Sequence, residues 1–244
     1  MKTALVTGAN QGIGFETARQ LLRLGYFVYL GCRNRESAEQ AMEKLRKEGL
    51  VTTDWVRLDV TDQKSVDDAA AHVAQRHPSV DVLINNAGIM GARPVAGEPY
   101  PVDEIRRVFE TNVFGVIRVT QAFLPLLSRS DAPRVVNVTS GLGSLTRQSD
   151  PTWRYSHYKH PAYVSSKAAL NAYTVVLSAD LAPKGFKVNS VDPGHTTTAF
   201  NNYNKAGRNP EVSAAFVVKA AVLGADGPSG RFLSEEGPDG ELPW

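Results

Sequence analysis

Two side chains that could transfer a proton lie four residues apart in this sequence. Tyr163 and Lys167 bound the run Tyr-Val-Ser-Ser-Lys, and positions i and i+4 of a helix share one face. A free phenol has a pKa of about 10, and a nearby ammonium favours the phenolate. We therefore expect Lys167 to lower the pKa of Tyr163 and to suit the pair to acid–base chemistry. Taken alone, the same spacing also fits an ordinary surface pair.

A glycine-rich turn near the start of the chain is the second motif that indicates a function. Gly8, Gly12 and Gly14 follow an apolar segment and open a helical one. Glycine permits positive φ and lets the backbone approach a pyrophosphate closely. The N-terminus of the following helix offers unpaired N–H groups to phosphates. The context favours a nucleotide-binding turn over a plain tight turn.

The elements that must position these motifs alternate between apolar strands and amphipathic helices. Predicted strands cover residues 3–7, 27–30, 56–58, 80–84, 134–139, 187–191 and 231–233. Predicted helices cover residues 12–24, 36–48, 63–77, 102–127, 162–181 and 212–223. Such alternation requires crossover connections, which produce a parallel sheet covered by helices on both faces. With no linker or break in composition, we predict one α/β domain over residues 1–244.

Composition excludes several classes of protein. The chain has 244 residues, 42% of them hydrophobic, and a net charge of +2 from interspersed charges, which gives no reason to expect nucleic acid or an anionic membrane as a partner. Cys32 is the single cysteine, so no intrachain disulfide forms and a reducing compartment fits. No apolar run is long enough for a membrane span, and only two residues precede the first strand. We expect a cytoplasmic protein without signal peptide.

The spacing Gly-x-x-x-Gly-x-Gly, together with Tyr163 and Lys167, resembles the short-chain dehydrogenase/reductase family. Further motifs follow in that family's order: Asp59-Val60, Asn85-Asn86-Ala87-Gly88, Asn112, Asn137-Val138-Thr139-Ser140 and Pro193-Gly194. The 23-residue interval from Ser140 to Tyr163 is long and resembles the carbonyl-reductase-like branch. The resemblance implies a Rossmann-like, doubly wound parallel sheet of about seven strands.

The resemblance also implies a nicotinamide dinucleotide as cofactor. The residues expected to bind it are Gly8, Asn10, Gln11, Gly12, Ile13, Gly14, Arg33, Asp59, Val60, Asn86, Ala87, Gly88, Tyr163, Lys167, Pro193, Gly194, Thr196 and Thr198. Arg33 stands where NAD sites usually carry an acidic residue, and no acid follows before Glu36. Because a guanidinium pairs with a 2′-phosphate, Arg33 favours NADP(H); a solvated surface arginine is the alternative.

The catalytic residues implied by the resemblance are Ser140, Tyr163, Lys167 and Asn112. Tyr163 would give its proton to a carbonyl oxygen and act as base in the reverse direction. Lys167 would lower the pKa of Tyr163 and bind ribose, Ser140 would hold the carbonyl oxygen, and Asn112 would help hold a relay water. We predict reversible, NADPH-dependent reduction of a ketone or aldehyde to an alcohol. A non-catalytic NADP(H)-sensing regulator and a C=C reductase on the same scaffold are the alternatives.

Three segments around the predicted site carry open interpretations. Residues 195–212 are predicted to form a substrate lid, with a plain long loop as the alternative. The insert at 141–162 is aromatic and forms either a pocket wall or a surface excursion. Residues 224–244 are predicted to be an ordered C-terminal extension.

His157 and His160 lack a third ligand nearby, so we predict no metal site. We expect a small-molecule substrate, and the sequence leaves monomer, homodimer and homotetramer open.

Overall fold

A computed structural model describes all of residues 1–244. It contains one seven-stranded sheet in which every neighbouring pair is parallel, in the order β3-β2-β1-β4-β5-β6-β7. The strands are β1 (Thr3–Thr7), β2 (Phe27–Cys32), β3 (Thr53–Arg57), β4 (Val82–Asn85), β5 (Arg134–Val138), β6 (Lys187–Val191) and β7 (Phe232–Leu233). The predicted α/β class, with about seven parallel strands in a single domain, is confirmed.

Helices cover both faces of this sheet. They are α1 (Gly12–Arg23), α2 (Arg35–Lys47), α3 (Gln63–Arg76), α4 (Val102–Phe109), α5 (Gly115–Leu127), α6 (Leu145–Ser149), α7 (Pro161–Leu181) and α8 (Pro210–Ala221). None of them combines the length and the apolar content that a membrane crossing needs.

Two hydrophobic cores lie on opposite sides of the sheet because side chains alternate along each strand. In β1, Val6 belongs to the core that packs under α1, α2 and α8. Its neighbour Leu5 belongs to the second core, which packs under α3 and α5. The central strands are therefore apolar on both faces, as expected for a doubly wound parallel sheet.

The order of connection reverses between β1 and β4, which places a crevice at the carboxyl ends of these strands. Thr7, the last residue of β1, holds this crevice together. Its hydroxyl accepts hydrogen bonds from the backbone N–H groups of Asn86 (3.0 Å) and Ala87 (2.9 Å). The loops after β1 and β4, which carry two of the predicted site motifs, are thus fixed to each other.

The single long helix predicted at 102–127 is interrupted. A π-helical turn at Glu110–Phe114 separates α4 from α5, whereas Pro125 is accommodated inside α5. The turn contains Asn112, which is completely buried and bonded to both the N–H and the C=O of Ile89. These bonds provide a local reason for the widened turn, a feature frequent at functional sites.

Truncation of Phe123 tests the packing of the second core. Phe123 is fully buried on α5, so Phe123→Ala should lower the free energy of unfolding by about 3–5 kcal/mol. Val176→Ala, on an exposed position of α7, is the matched control and should change it by less than about 0.5 kcal/mol. Urea denaturation measures both. Equal midpoints for the two variants would contradict the assigned packing of α5.

Candidate active site

A cleft of about 820 Å³ runs along the carboxyl edge of the sheet. Nearly all residues predicted for the site line it, namely Gly8, Asn10, Gln11, Gly12, Ile13, Gly14, Arg33, Asp59, Val60, Asn86, Ala87, Gly88, Ser140, Tyr163, Lys167, Pro193, Gly194, Thr196 and Thr198. Asn112 is the exception, since it is buried behind the cleft wall. The fold therefore brings distant motifs together, while the roles assigned to the individual residues stay predictions.

The glycine turn after β1 is closely packed against the loop after β4. Gly8 and Gly12 have positive φ values of 65° and 59°, a conformation that glycine adopts without strain. A Cβ at position 14 would lie 2.4 Å from Asn86 Nδ2 and 2.5 Å from the carbonyl oxygen of Gly8. That amide nitrogen already donates to the carbonyl oxygen of Thr7 (2.9 Å). Only glycine fits position 14 without moving the neighbouring loop.

The N-terminus of α1 differs from those of α2 and α3. Asn34 and Asp62 cap α2 and α3 with side-chain oxygens. At α1 the preceding Gln11 provides no side-chain cap, and the first turn contains no acidic residue. The first-turn residues line the cleft, so their N–H groups and the positive end of the helix dipole are available to an anionic ligand. This arrangement fits a phosphate group.

The end of β2 presents one free guanidinium to the cleft. Arg33 is exposed, lines the cleft and forms no ion pair with an acidic side chain. Arg35 differs, because its Nε is 2.7 Å from Oε1 of Glu39 on the same helix. Arg33 is therefore the better-placed partner for a second anionic group in the cleft.

Tyr163 and Lys167 face the cleft from α7 and are 6% and 4% exposed. The Lys167 Nζ lies 5.7 Å from the centroid of the Tyr163 ring. It donates a hydrogen bond to the carbonyl oxygen of Val138 at the end of β5 (2.9 Å). An ammonium has three N–H donors, so two remain for groups in the cleft. Ser140 follows the same strand and lines the cleft beside them.

The electrostatics of this pair differ from the prediction. Burial raises the pKa of Tyr163, the Ser140 hydroxyl opposes that shift through hydrogen bonding, and the charge of Asp192 reinforces it. Burial also lowers the pKa of Lys167 to about 8. The prediction that Lys167 lowers the pKa of Tyr163 is therefore wrong for the ligand-free protein, in which this pKa is raised. Loss of solvation disfavours the charged form of each group.

Asn112 joins the loop after β4 to α7. Its amide nitrogen donates to the carbonyl oxygen of Ile89 (2.8 Å) and to the Ser166 hydroxyl (3.0 Å), while its Oδ1 accepts from the Ile89 N–H (2.8 Å). Ser166 directly precedes Lys167 in α7. The position of Asn112 thus gives it a bracing role behind the cleft; its implied part in a water relay stays a prediction.

The aromatic insert forms one wall of the cleft. Trp153, Tyr155, His157 and Tyr158 line it, and the Tyr158 hydroxyl donates to the sulfur of Met90 (3.1 Å). This placement matches the pocket-wall interpretation of the insert. His160 does not join this wall, so the two histidines that are close in sequence have different surroundings.

Most of residues 195–204 also line the cleft. The ring of Phe200 lies 5.7 Å from that of Tyr163. The Thr196 hydroxyl is hydrogen-bonded to the Ser213 hydroxyl (2.6 Å) and to the Gly194 carbonyl oxygen. Thr198 lies against the glycine turn, with its Cγ2 3.2 Å from where a Cβ of Gly12 would be.

Asp192 is a cleft residue that the sequence reasoning missed. It is 4% exposed, and its carboxylate accepts hydrogen bonds from the N–H of Gly194 (3.1 Å) and the hydroxyl of Ser234 (3.0 Å). The sequence position of Asp192 could have predicted this placement. Asp192 immediately follows β6 and precedes Pro193, and residues at the carboxyl ends of the strands line the cleft. Its bond to Ser234 depends on the fold of the C-terminal segment and has no local signature.

Comparison with known proteins identifies the family. A family model described as short chain dehydrogenase matches residues 2–209. The chain belongs to this family. It is 37% identical to the short-chain dehydrogenase anuI of Penicillium roqueforti, over 98% of this chain and 96% of the relative. It is 32% identical to salutaridine reductase of Papaver bracteatum, over 95% of this chain and 94% of the relative.

Solved structures agree with that assignment. The structure of NADPH-bound carbonyl reductase from chicken fatty liver matches with a TM-score of 0.85 and 27% identity, over 100% of this chain and 99% of the other. Salutaridine reductase from Papaver somniferum matches with a TM-score of 0.82 and 30% identity, over 95% of this chain and 99% of the other. The predicted membership of the short-chain dehydrogenase/reductase family is confirmed.

Replacing Asn112 tests its bracing role. Asn112→Ala removes three hydrogen bonds and leaves the partly buried backbone groups of Ile89 without these partners, so it should lower the free energy of unfolding by about 2–4 kcal/mol. Gln40→Ala, on the exposed face of α2, serves as control with an expected change below about 0.5 kcal/mol. Thermal or urea unfolding measures the difference. Wild-type stability of Asn112→Ala would rule out the bracing role.

Proposed function

We propose that this protein is a reversible, NADPH-dependent reductase of ketones or aldehydes. The observation that carries the proposal is the shared cleft, in which Tyr163 and Lys167 of α7 face the uncapped glycine turn of α1. One end of the cleft fits an anionic ligand, and the other contains a proton donor between apolar walls. Membership of an oxidoreductase family supports the same reaction class.

NADP(H) is the cofactor that the chain's own residues fit best. The first turn of α1 would bind its pyrophosphate, and the free guanidinium of Arg33 would bind the 2′-phosphate. Lys167 would donate to the ribose hydroxyls, and the Pro193–Gly194 turn would border the nicotinamide. The similarity to the NADPH-bound carbonyl reductase from chicken fatty liver supports this assignment. When bound, NADPH supplies the hydride.

Tyr163 acts in this proposal as the general acid. Because burial raises its pKa, the phenol is protonated at neutral pH and can donate its proton to a carbonyl oxygen. The Ser140 hydroxyl donates to the same oxygen and fixes its position. The Lys167 ammonium, with a pKa of about 8, is mostly charged at pH 7 and stabilises the phenolate that remains after proton donation.

The walls of the cleft favour a carbonyl group carried on an apolar body. Apolar and aromatic surface is offered by Trp153, Tyr155 and Tyr158 of the insert, by Met90 and by Phe200. Such surfaces bind through burial of apolar area, while a few polar groups fix orientation. Relatives named salutaridine reductase and (+)-neomenthol dehydrogenase support carbonyl–alcohol interconversion as the chemistry.

Residues 195–212 form the substrate lid in this proposal, and residues 224–244 form an extension of the single domain over 1–244. Arg208 fastens the lid at its base. Its guanidinium donates to the carbonyl oxygen of Pro193 and pairs with Glu235 of the extension. Its backbone N–H also donates to the carbonyl oxygen of His195 (2.9 Å). The segment between these anchors carries Phe200 toward the cleft and can exclude water on closure.

Removal of the Tyr163 hydroxyl tests the assigned acid. Tyr163→Phe should reduce the rate of ketone-dependent NADPH oxidation at least about 100-fold, because it removes the proton donor assigned to the carbonyl oxygen. NADPH binding, followed by fluorescence titration, should change little. Tyr26→Phe, at a buried tyrosine that directly precedes β2 and does not line the cleft, should retain the wild-type rate. Turnover by Tyr163→Phe at the wild-type rate would mean that the acid is assigned wrongly.

The Arg33 guanidinium can be tested through cofactor preference. Arg33→Ala should raise the Kd for NADPH about 10- to 100-fold and leave the Kd for NADH nearly unchanged, since only NADPH carries the 2′-phosphate. Arg35→Ala is the matched control, because Arg35 pairs with Glu39, and it should affect neither Kd strongly. Fluorescence titration with both cofactors provides the values. Equal losses for both cofactors in Arg33→Ala would remove Arg33 from the phosphate site.

A further inference from the structure

His160 is a buried imidazole directly before the helix that carries Tyr163 and Lys167. It is 3% exposed, and Pro161 follows it as the first residue of α7. It does not line the cleft, and the reaction described above does not use it. A buried titratable side chain this close to the proposed acid requires an explanation.

Two contacts link His160 to Tyr163. The imidazole Nδ1 accepts a hydrogen bond from the backbone N–H of Tyr163 at 3.4 Å and so caps the N-terminus of α7. The two rings also meet edge to face, with centroids 6.4 Å apart. His160 therefore contacts both the backbone and the phenol ring of Tyr163, and it restrains the first turn of the helix.

Neighbouring aromatic rings hold the imidazole in this orientation. Tyr158 of the insert stacks on it, with centroids 6.3 Å apart, and Tyr100 meets it edge-on at 5.7 Å. The Tyr100 hydroxyl donates to the carbonyl oxygen of Ala92 (2.8 Å), and Tyr158 donates to Met90. The loop after β4, the insert and α7 thus converge on one ring.

We propose that His160 is a positioning residue that, as a neutral imidazole, caps α7 and fixes the phenol of Tyr163 in the cleft. The inference rests on the proposed function, because it takes Tyr163 as the acid. Acceptance at Nδ1 requires the tautomer with its proton on Nε2. A protonated imidazole has no acceptor, so the cap would be lost, and its charge would face the positive end of the α7 dipole.

The groups around His160 explain why the neutral form prevails at pH 7. Burial lowers the pKa of His160 from its usual 6.5 and outweighs the opposing charge of Glu104 on α4. Glu104 is itself paired with Arg107, with Oε1 and Nη2 2.6 Å apart. The other titratable groups that face the ring are the phenols of Tyr100, Tyr158 and Tyr163. Because the pKa is lowered, protonation of His160 and loss of the cap are expected only at a pH below the usual titration range of histidine, and activity should fall there.

The experiment compares pH profiles of kcat for ketone reduction in the full-length chain. His160→Ala should lower kcat about tenfold or more through misplacement of the phenol, with the KM for NADPH unchanged. His160→Asn supplies a capping oxygen that does not titrate. It should restore kcat to within about threefold of wild type and lack the acid limb that is expected for wild type. His77→Asn removes another imidazole whose pKa burial lowers and should keep both kcat and the acid limb.

The outcomes separate this inference from the proposed function. Wild-type kcat and pH profile in His160→Ala, with Tyr163→Phe inactive, would overturn the positioning role and leave the reductase intact. If His160→Ala fails to fold, an acid limb in His160→Asn identical to that of wild type would overturn it equally. Full activity of Tyr163→Phe would overturn the proposed acid and the positioning role together.

Discussion

A lysine ammonium enclosed by protein is the constraint on which the site depends. Lys167 is almost fully buried and has one hydrogen bond within the protein, to the carbonyl oxygen of Val138. No carboxylate pairs with it, so loss of solvation is costly and lowers its pKa to about 8. Lys167 is held in this buried position because the backbone of α7 packs directly against the backbone of the turn after β5. A Cβ at Gly143 would lie 2.8 Å from the carbonyl carbon of Lys167.

This close packing determines the rest of the constellation. It places Ser140, at the start of the same turn, beside Tyr163, and it directs the two remaining ammonium donors toward the cleft. Asn112 extends the arrangement by bonding Ser166 and the loop after β4. Lys167 and Asn112 are therefore held largely by hydrogen bonds to backbone groups, with Ser166 as an additional side-chain partner of Asn112. Such preorganisation is what electrostatic stabilisation of a reacting oxygen requires.

The cleft divides into a regular part and an irregular part. The ends of the parallel strands and the glycine turn form the polar half, which follows directly from the fold. The opposite half comes from the insert, from residues 195–212 and from residues 224–244. Two consecutive acidic residues join these segments, because Glu235 pairs with Arg208 and Glu236 pairs with Arg154 of the insert. Substrate preference is accordingly expected to change with these segments and cofactor binding with the strand ends.

The sequence predicted the sheet and the set of cleft residues well, because strand–helix alternation and strand-end motifs are local signals. It did not predict the π-helical turn around Asn112, since that turn depends on bonds to Ile89, 23 residues away. It also gave the wrong direction for the pKa of Tyr163. Spacing on a helix reveals the nearby ammonium, whereas the dominant effect is burial, which arises from tertiary packing. The cap provided by His160 and the Asp192–Ser234 bond likewise exist only in the folded chain.

Direct titration of the Lys167 ammonium by nitrogen-15 NMR tests the central claim most directly. Lys167→Met would assign its resonance by loss of one signal. Lys167 should titrate with a midpoint of about 8, while solvent-exposed lysines titrate at about 10.4. A Lys167 signal that titrates together with the surface lysines would contradict the account, because the ammonium would then be solvated rather than enclosed beside Tyr163.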